Sequence, residues 1–183
     1  MILQKVIDSP FSEGKAVLHE EMREMDLRGE HFQYLHRNYR CEDTGMEFTT
    51  DDMDFDNLEQ IYVQYRERHN IPSPTELSEM RERYGLSAIK MSQILGLGVN
   101  QYAKYEQGEL PSESIGKMLR SIQTPVVFMG YLENARNQFS EEEYKKICAK
   151  VQKSFLKLIK SKSDLSWFWE LFSPRTIIGH VAF

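Results

Sequence analysis

The chain has 183 residues, 40% of them apolar and 28% charged, with a net charge of −5; this is an ordered globular composition, neither disordered nor fibrous. Cys41 and Cys148 are the only cysteines, which excludes a disulfide framework and suits a reducing cytoplasm, and neither a membrane-spanning apolar run nor a signal-peptide core is present in the sequence. The acidity is local: residues 1–60 hold 15 acidic and 6 basic side chains, 73–122 hold 6 of each, and 123–183 hold 9 basic and 6 acidic, so an acidic arm joins a body compatible with a local phosphate footprint.

From the amino terminus, residues 15–50 alternate in the manner of strands. Ala16-Val17-Leu18 opens a run to Leu27, Arg28-Gly29-Glu30 offers a turn, and residues 31–40 return with Phe32, Tyr34 and His36 on one face. A second turn at 42–45 leads into Met46-Glu47-Phe48. Thr49 or Thr50 can then cap a helix over residues 51–69, with Asp51, Asp52 and Asp54 at its positive end, Arg66 and Arg68 at the other, and an apolar stripe of Met53, Leu58, Ile61, Tyr62 and Tyr65. Asn70-Ile71-Pro72 ends it, and Ser73-Pro74-Thr75-Glu76 is a capping box with proline at the first helical position, starting a helix to Tyr84.

Residues 86–111, LSAIKMSQILGLGVNQYAKYEQGELP, read as two short helices meeting at a glycine turn. The first is expected over 87–95, with Ser87 as N-cap and Ile89, Met91, Ile94 and Leu95 turned inward. Gly96-Leu97-Gly98 breaks it. The second, over 99–107, places Val99, Tyr102 and Tyr105 on one side and Asn100, Gln101 and Lys104 on another, and Gly108 stops it. An Asn or Gln presented to the major groove can bond bidentately to adenine N6 and N7, and Lys reaches a guanine edge or a phosphate.

Beyond Pro111 the pattern is helical. A helix runs to Ile122, Thr124-Pro125 starts another through Arg136, and Ser140-Glu141-Glu142-Glu143 is a capping box ahead of a long helix to about Ser161. That helix carries Lys145, Lys146, Lys150, Lys153, Lys157 and Lys160 around a stripe of Ile147, Val151, Phe155, Leu158 and Ile159; the lysines are read as a solvated face complementing the acidic helix start rather than as a DNA-backbone surface. DLSWFWELF, residues 164–172, and the apolar end TIIGHVAF are expected to pack within the subunit or against another.

At residues 73–122 the sequence resembles the Xre class of helix-turn-helix proteins, to which Cro and the lambda repressor belong and whose usual run is LSQxxxAxxLGVSxxxISRYExG. GVNQYAKYEQG is similar to the recognition helix of the MqsA-type antitoxins, which read GVNxFxRYExG and use its Asn and Arg on operator bases. The resemblance implies that Asn100 contacts a base and that Lys104 stands where the family has Arg; lacking the bidentate fork, Lys suits a phosphate better. Ala88 replaces the usual phosphate-touching Gln, so that contact is either missing or moved to Ser87 or Lys90. Candidate DNA-binding residues are therefore Asn100, Gln101, Lys104, Ser87, Lys90 and Gln107. The family's amino-terminal part, a YgiT-type zinc finger with two Cys-x-x-Cys pairs that faces a partner toxin, is retained here only as NYRCEDTG, with Thr44 in the place of the cysteine that would pair with Cys41. A tetrahedral zinc needs a full ligand set, and beyond Cys41 only His19, His31 and His36 are at hand; a zinc-finger-like region that has lost its metal and packs on Phe32, Tyr34, Tyr39 and Phe48 is expected.

Catalysis has little to stand on. No Gly-rich phosphate loop, G-x-S-x-G or H-E-x-x-H is present, and Glu42 and Asp43 are expected to disfavour a Cys41 thiolate. The expected fold class is mainly α with a small amino-terminal antiparallel β region, comprising a five-helix lambda-repressor-like helix-turn-helix domain plus carboxy-terminal helices. The domains are expected at 1–50 (β-rich), 51–72 (linker helix), 73–122 (DNA-binding) and 123–183 (helical, dimerising). Functionally, the expectation is a cytoplasmic, non-enzymatic, cofactor-free transcriptional regulator, an antitoxin-like autorepressor that binds double-stranded palindromic operator DNA as a homodimer and has no membrane association. The alternative is a protein-interaction scaffold that neutralises a partner toxin with little DNA binding.

Overall fold

The computed structural model describes residues 5–161, with side chains through Leu156, so the aromatic segment at 164–172, the apolar end and the outer part of the lysine helix's stripe lie outside the described residues. The described chain runs β1 (Val6–Asp8), β2 (Lys15–Leu27), β3 (Glu30–Cys41), β4 (Glu47–Phe48), then α1 (Asp51–Arg68), α2 (Pro74–Tyr84), α3 (Ala88–Ile94), α4 (Gln101–Glu106), α5 (Glu113–Ser121), α6 (Pro125–Asn134), a 3-10 turn (Arg136–Gln138) and α7 (Glu141–Ser161). The described residues divide into two compact units: those up to Pro74 with 108–120, and those of 75–107 with those from Ser121 onward. No helix among the described residues is long and apolar enough to cross a membrane.

The expectation of a mainly α chain built round a five-helix domain with a small β region is corrected. The fold is mixed: four strands form one antiparallel sheet in the order β1-β2-β3-β4, and its two central strands are 13 and 12 residues long. Nor do the helices of residues 73–122 form one five-helix body, because α5 through Arg120 groups with the sheet while α2 from Thr75, α3 and α4 group with α6 and α7. The physical reason is a set of arginine-to-carbonyl bonds that join α5 and the residues leading into it to the rest of the sheet unit. Arg28 bonds the carbonyls of Pro111 at 2.7 Å and Leu110 at 3.1 Å, the buried Arg66 bonds that of Gly108 at 2.5 Å, and Arg120 bonds that of Asn70 at 3.1 Å.

In the sheet unit, β2 and β3 pair without a break from Ala16↔Cys41 to Leu27↔Glu30, and the two residues between, Arg28 and Gly29, both have positive φ, the backbone of a tight type I′ hairpin. β1 is an addition that its three residues did not announce; it forms because Lys15–Val17 offer it an edge. Helix α1, capped by the Thr50 hydroxyl on the Met53 amide, crosses the opposite edge of the sheet. Residues 32 and 34 lie on one face of β3 and 39 and 41 on the other by strand alternation. Ile61 and Tyr65 of α1 pack with Phe32 and Tyr34, whereas Met53 packs with Tyr39 and Ala16.

Between those two contacts the helix meets the edge of β3 itself. β4 pairs only with Tyr39 and Arg40, and below them the strand's outward backbone groups are taken by side-chain amides. Asn57 accepts from the Arg37 amide at 2.9 Å and donates to its carbonyl at 3.0 Å. Gln60 does the same for Leu35, at 3.0 Å each way, and Gln64 donates to the Gln33 carbonyl at 2.9 Å. One helical turn advances about 5.4 Å and two strand residues about 6.8 Å, so amides at i, i+3 and i+7 keep step with alternate strand residues and stand in for a fifth strand.

At the hairpin tip, Glu30 bonds Arg68 at 2.7 Å and His69 at 2.5 Å. The Arg68 guanidinium holds the Glu30 carboxyl below the usual range against its partial burial, with His69 assisting. Two outcomes are expected. Gln60→Ala and Asn57→Ala each orphan a donor and an acceptor of β3 and should cost about 1–3 kcal/mol by urea unfolding, the buried Asn57 more than Gln60, with more aggregation from the bared edge. A lowered folded pKa means that the Glu30 contribution is present above the ordinary glutamate range and is lost as pH falls through the lowered value. Thermal unfolding in acid should therefore show a smaller pH dependence for Glu30→Gln than for the unaltered chain.

Candidate nucleic-acid interface

In the helical unit, α3 and α4 are joined by a turn whose geometry follows from local chemistry. The Ser87 hydroxyl accepts from the Lys90 amide at 3.2 Å and starts α3. The helix stops at Gly96, whose φ of +67 suits glycine. Leu97 donates to the Ser92 carbonyl at 2.9 Å and Gly96 to that of Gln93 at 3.3 Å, the paired bonds of a Schellman ending. α4 begins at Gln101 with Asn100 as its N-cap residue and ends before Gly108.

The underside of α4 is fixed by buried polar contacts. Ser92, fully buried on α3, accepts from the Tyr102 amide at 3.0 Å. The Tyr102 hydroxyl donates to the Leu77 carbonyl at 2.9 Å, and that of Tyr84, stacked on Phe128 with centroids 4.3 Å apart, donates to the Ile122 carbonyl at 2.9 Å. Burial pushes the Tyr84 phenol up to about 12 and the Tyr102 phenol further, so both remain donors. Arg81 of α2 meets Glu106 of α4 at 2.6 Å.

The opposite side faces outward. Asn100, Lys104 and Gln107 are exposed and Gln101 is half-buried; Asn100, although at the cap position, makes no side-chain capping hydrogen bond. These four candidates therefore share one surface. The Ser87 hydroxyl is engaged in capping, and the Lys90 ammonium is paired with Glu143 at 2.6 Å and lies 4.9 Å from the centroid of the Phe139 ring. The grouping of Val99 with Tyr102 and Tyr105 and the inward placement of Ile89 are corrected. Val99 is 70% and Ile89 55% exposed; α4 starts two residues later than the periodicity suggested, and Ser92 takes a place in the α3 interior. Sequence reasoning missed Ser92, Arg81 and Glu106; the one available signal was a serine where the turn of the helix calls for an apolar residue.

Among the described residues no group of three or more His, Cys, Asp or Glu side chains is placed to hold a metal ion. His31 pairs with Asp26, and His36, whose pKa burial lowers, lies 3.3 Å from the Asn57 amide nitrogen. The expected suppression of the Cys41 thiolate is also corrected: hydroxyls of Ser12, Ser9 and Thr44 lower the thiol to about 6, although the residue is buried. The Ser12 hydroxyl lies 3.5 Å from the thiol sulfur.

Comparison with models of known protein families and with curated protein sequences finds no match. Ser92→Ala should leave the Tyr102 amide unpaired in the interior and cost about 1–3 kcal/mol, measured by chemical denaturation; an unchanged midpoint would remove Ser92 as the tie between α3 and α4.

Proposed function

We propose that the chain is a sequence-specific DNA-binding transcriptional regulator, an antitoxin-like autorepressor acting in the cytoplasm as a homodimer on palindromic operator DNA. The observation that carries the DNA-binding part is the division of α4 into a buried side tied by Ser92, Tyr102 and Glu106 and an outward side bearing Asn100, Lys104 and Gln107. Such a helix offers an amide for adenine and an ammonium for phosphate or guanine from a rigid base. Single units of this size read short half-sites, and a dimer would set two reading helices about 34 Å apart, one duplex turn. The autorepressor and dimer parts of the proposal rest on the resemblance to the Xre and MqsA-type families at GVNQYAKYEQG.

One observation favours a second reading. Lys90, a candidate for phosphate contact, is held by Glu143, which suits a scaffold that binds and neutralises a partner protein and touches DNA little. Duplexes selected from a random library decide between the two. On the selected site Asn100→Ala should cost about 1–3 kcal/mol of specific binding, and Lys104→Ala should weaken binding across sequences and flatten the salt slope by about one. Absence of any enriched duplex, with negligible binding to random DNA at low salt, would leave the scaffold reading.

A further inference from the structure

Val99 is the most exposed large apolar side chain among the described residues. A single exposed valine is ordinary; its company is not. It sits in the turn before α4, next to Asn100, whose amide makes no capping bond, and one turn from the exposed Lys104. An amide beside a β-branched apolar group matches the major-groove edge of an A·T pair, which presents adenine N7 and N6 together with the thymine C5 methyl. Consecutive Cα atoms lie about 3.8 Å apart and bases along a strand about 3.4 Å apart, so the two side chains address one base pair or adjoining pairs.

Resting on the DNA-binding reading above, we infer that Val99 is a specificity-determining residue that packs on the C5 methyl of a thymine in the pair read by Asn100 or the pair beside it. The interaction adds an apolar contact beside the polar ones offered by Asn100 and Lys104. It selects thymine over cytosine, which carries only hydrogen at C5 and an amine in place of O4.

The test uses the full chain and a duplex selected from a random library, with each thymine replaced in turn by deoxyuridine, which removes only the methyl. At one position per half-site the replacement should weaken binding about fourfold, the worth of about one methyl group removed from water. Val99→Ala should bind the thymine and uracil duplexes equally, and because the side chain is exposed its thermal unfolding should match that of the unaltered chain. Indifference of the unaltered protein to every replacement, or undiminished discrimination by Val99→Ala, overturns the inference. If Asn100→Ala still weakens the selected duplex in that case, the Val99 assignment fails alone; if no duplex is selected, both readings fail together.

Discussion

A backbone N–H or C=O withdrawn from water must find a partner or cost about 1–3 kcal/mol, and at the decisive places in this protein the partner is a side chain. Along β3 the amides of Asn57, Gln60 and Gln64 occupy the row that a neighbouring strand would fill. Because α1 therefore lies across the edge and not on one face, its first turn closes the core of Ala16 and Tyr39 while its later turns close that of Phe32 and Tyr34. A single helix thereby serves two faces of one sheet and blocks the edge that would otherwise template aggregation.

The helical unit uses the same device at smaller scale. Ser92 spends its hydroxyl on the first buried amide of α4, and the Tyr102 phenol returns the connection to α2 through the Leu77 carbonyl. Together with the ion pair between Arg81 and Glu106, these contacts define the rotation of α4 about its axis. That rotation is what an outward surface depends on, since a turn of one residue, about 100°, would exchange Asn100 and Lys104 for other side chains.

What was legible in the sequence was whatever local chemistry decides. Thr50, Ser87 and Thr124-Pro125 mark helix starts that the structure keeps, Pro74 opens α2, and the Arg28-Gly29 turn fixes the register of β2 on β3. Tertiary choices were not legible. Periodicity counted from Val99 put that residue on the side of Tyr102 and Tyr105, but the helix begins only at Gln101. Asn57, Gln60 and Gln64 read as an ordinary polar helix face, and nothing local says that a strand edge awaits them. The allegiance of α5 is set by Arg28 and Arg66, at 82 and 42 residues' separation from their carbonyls at Leu110 and Gly108, which no window of sequence contains.

Charge bears on the proposed function in a less obvious way. The acidic excess of residues 1–60 would seem to repel DNA, yet many of its carboxylates are occupied: Glu20 by Arg37, Glu21 and Glu47 by Arg23, Glu30 by Arg68. That pairing leaves the net negative charge of the region unchanged, but at physiological salt exposed charges act over only about 8 Å. The same reasoning limits attraction. With Lys104 the only cation within α4 and Lys90 engaged by Glu143, one unit gains little from counterion release, so non-specific affinity would be low. On the proposed reading, such a regulator would draw its affinity from base edges, through Asn100 and Val99, and from two reading helices on one operator. Discrimination between sites would then be high relative to the modest strength of any single contact.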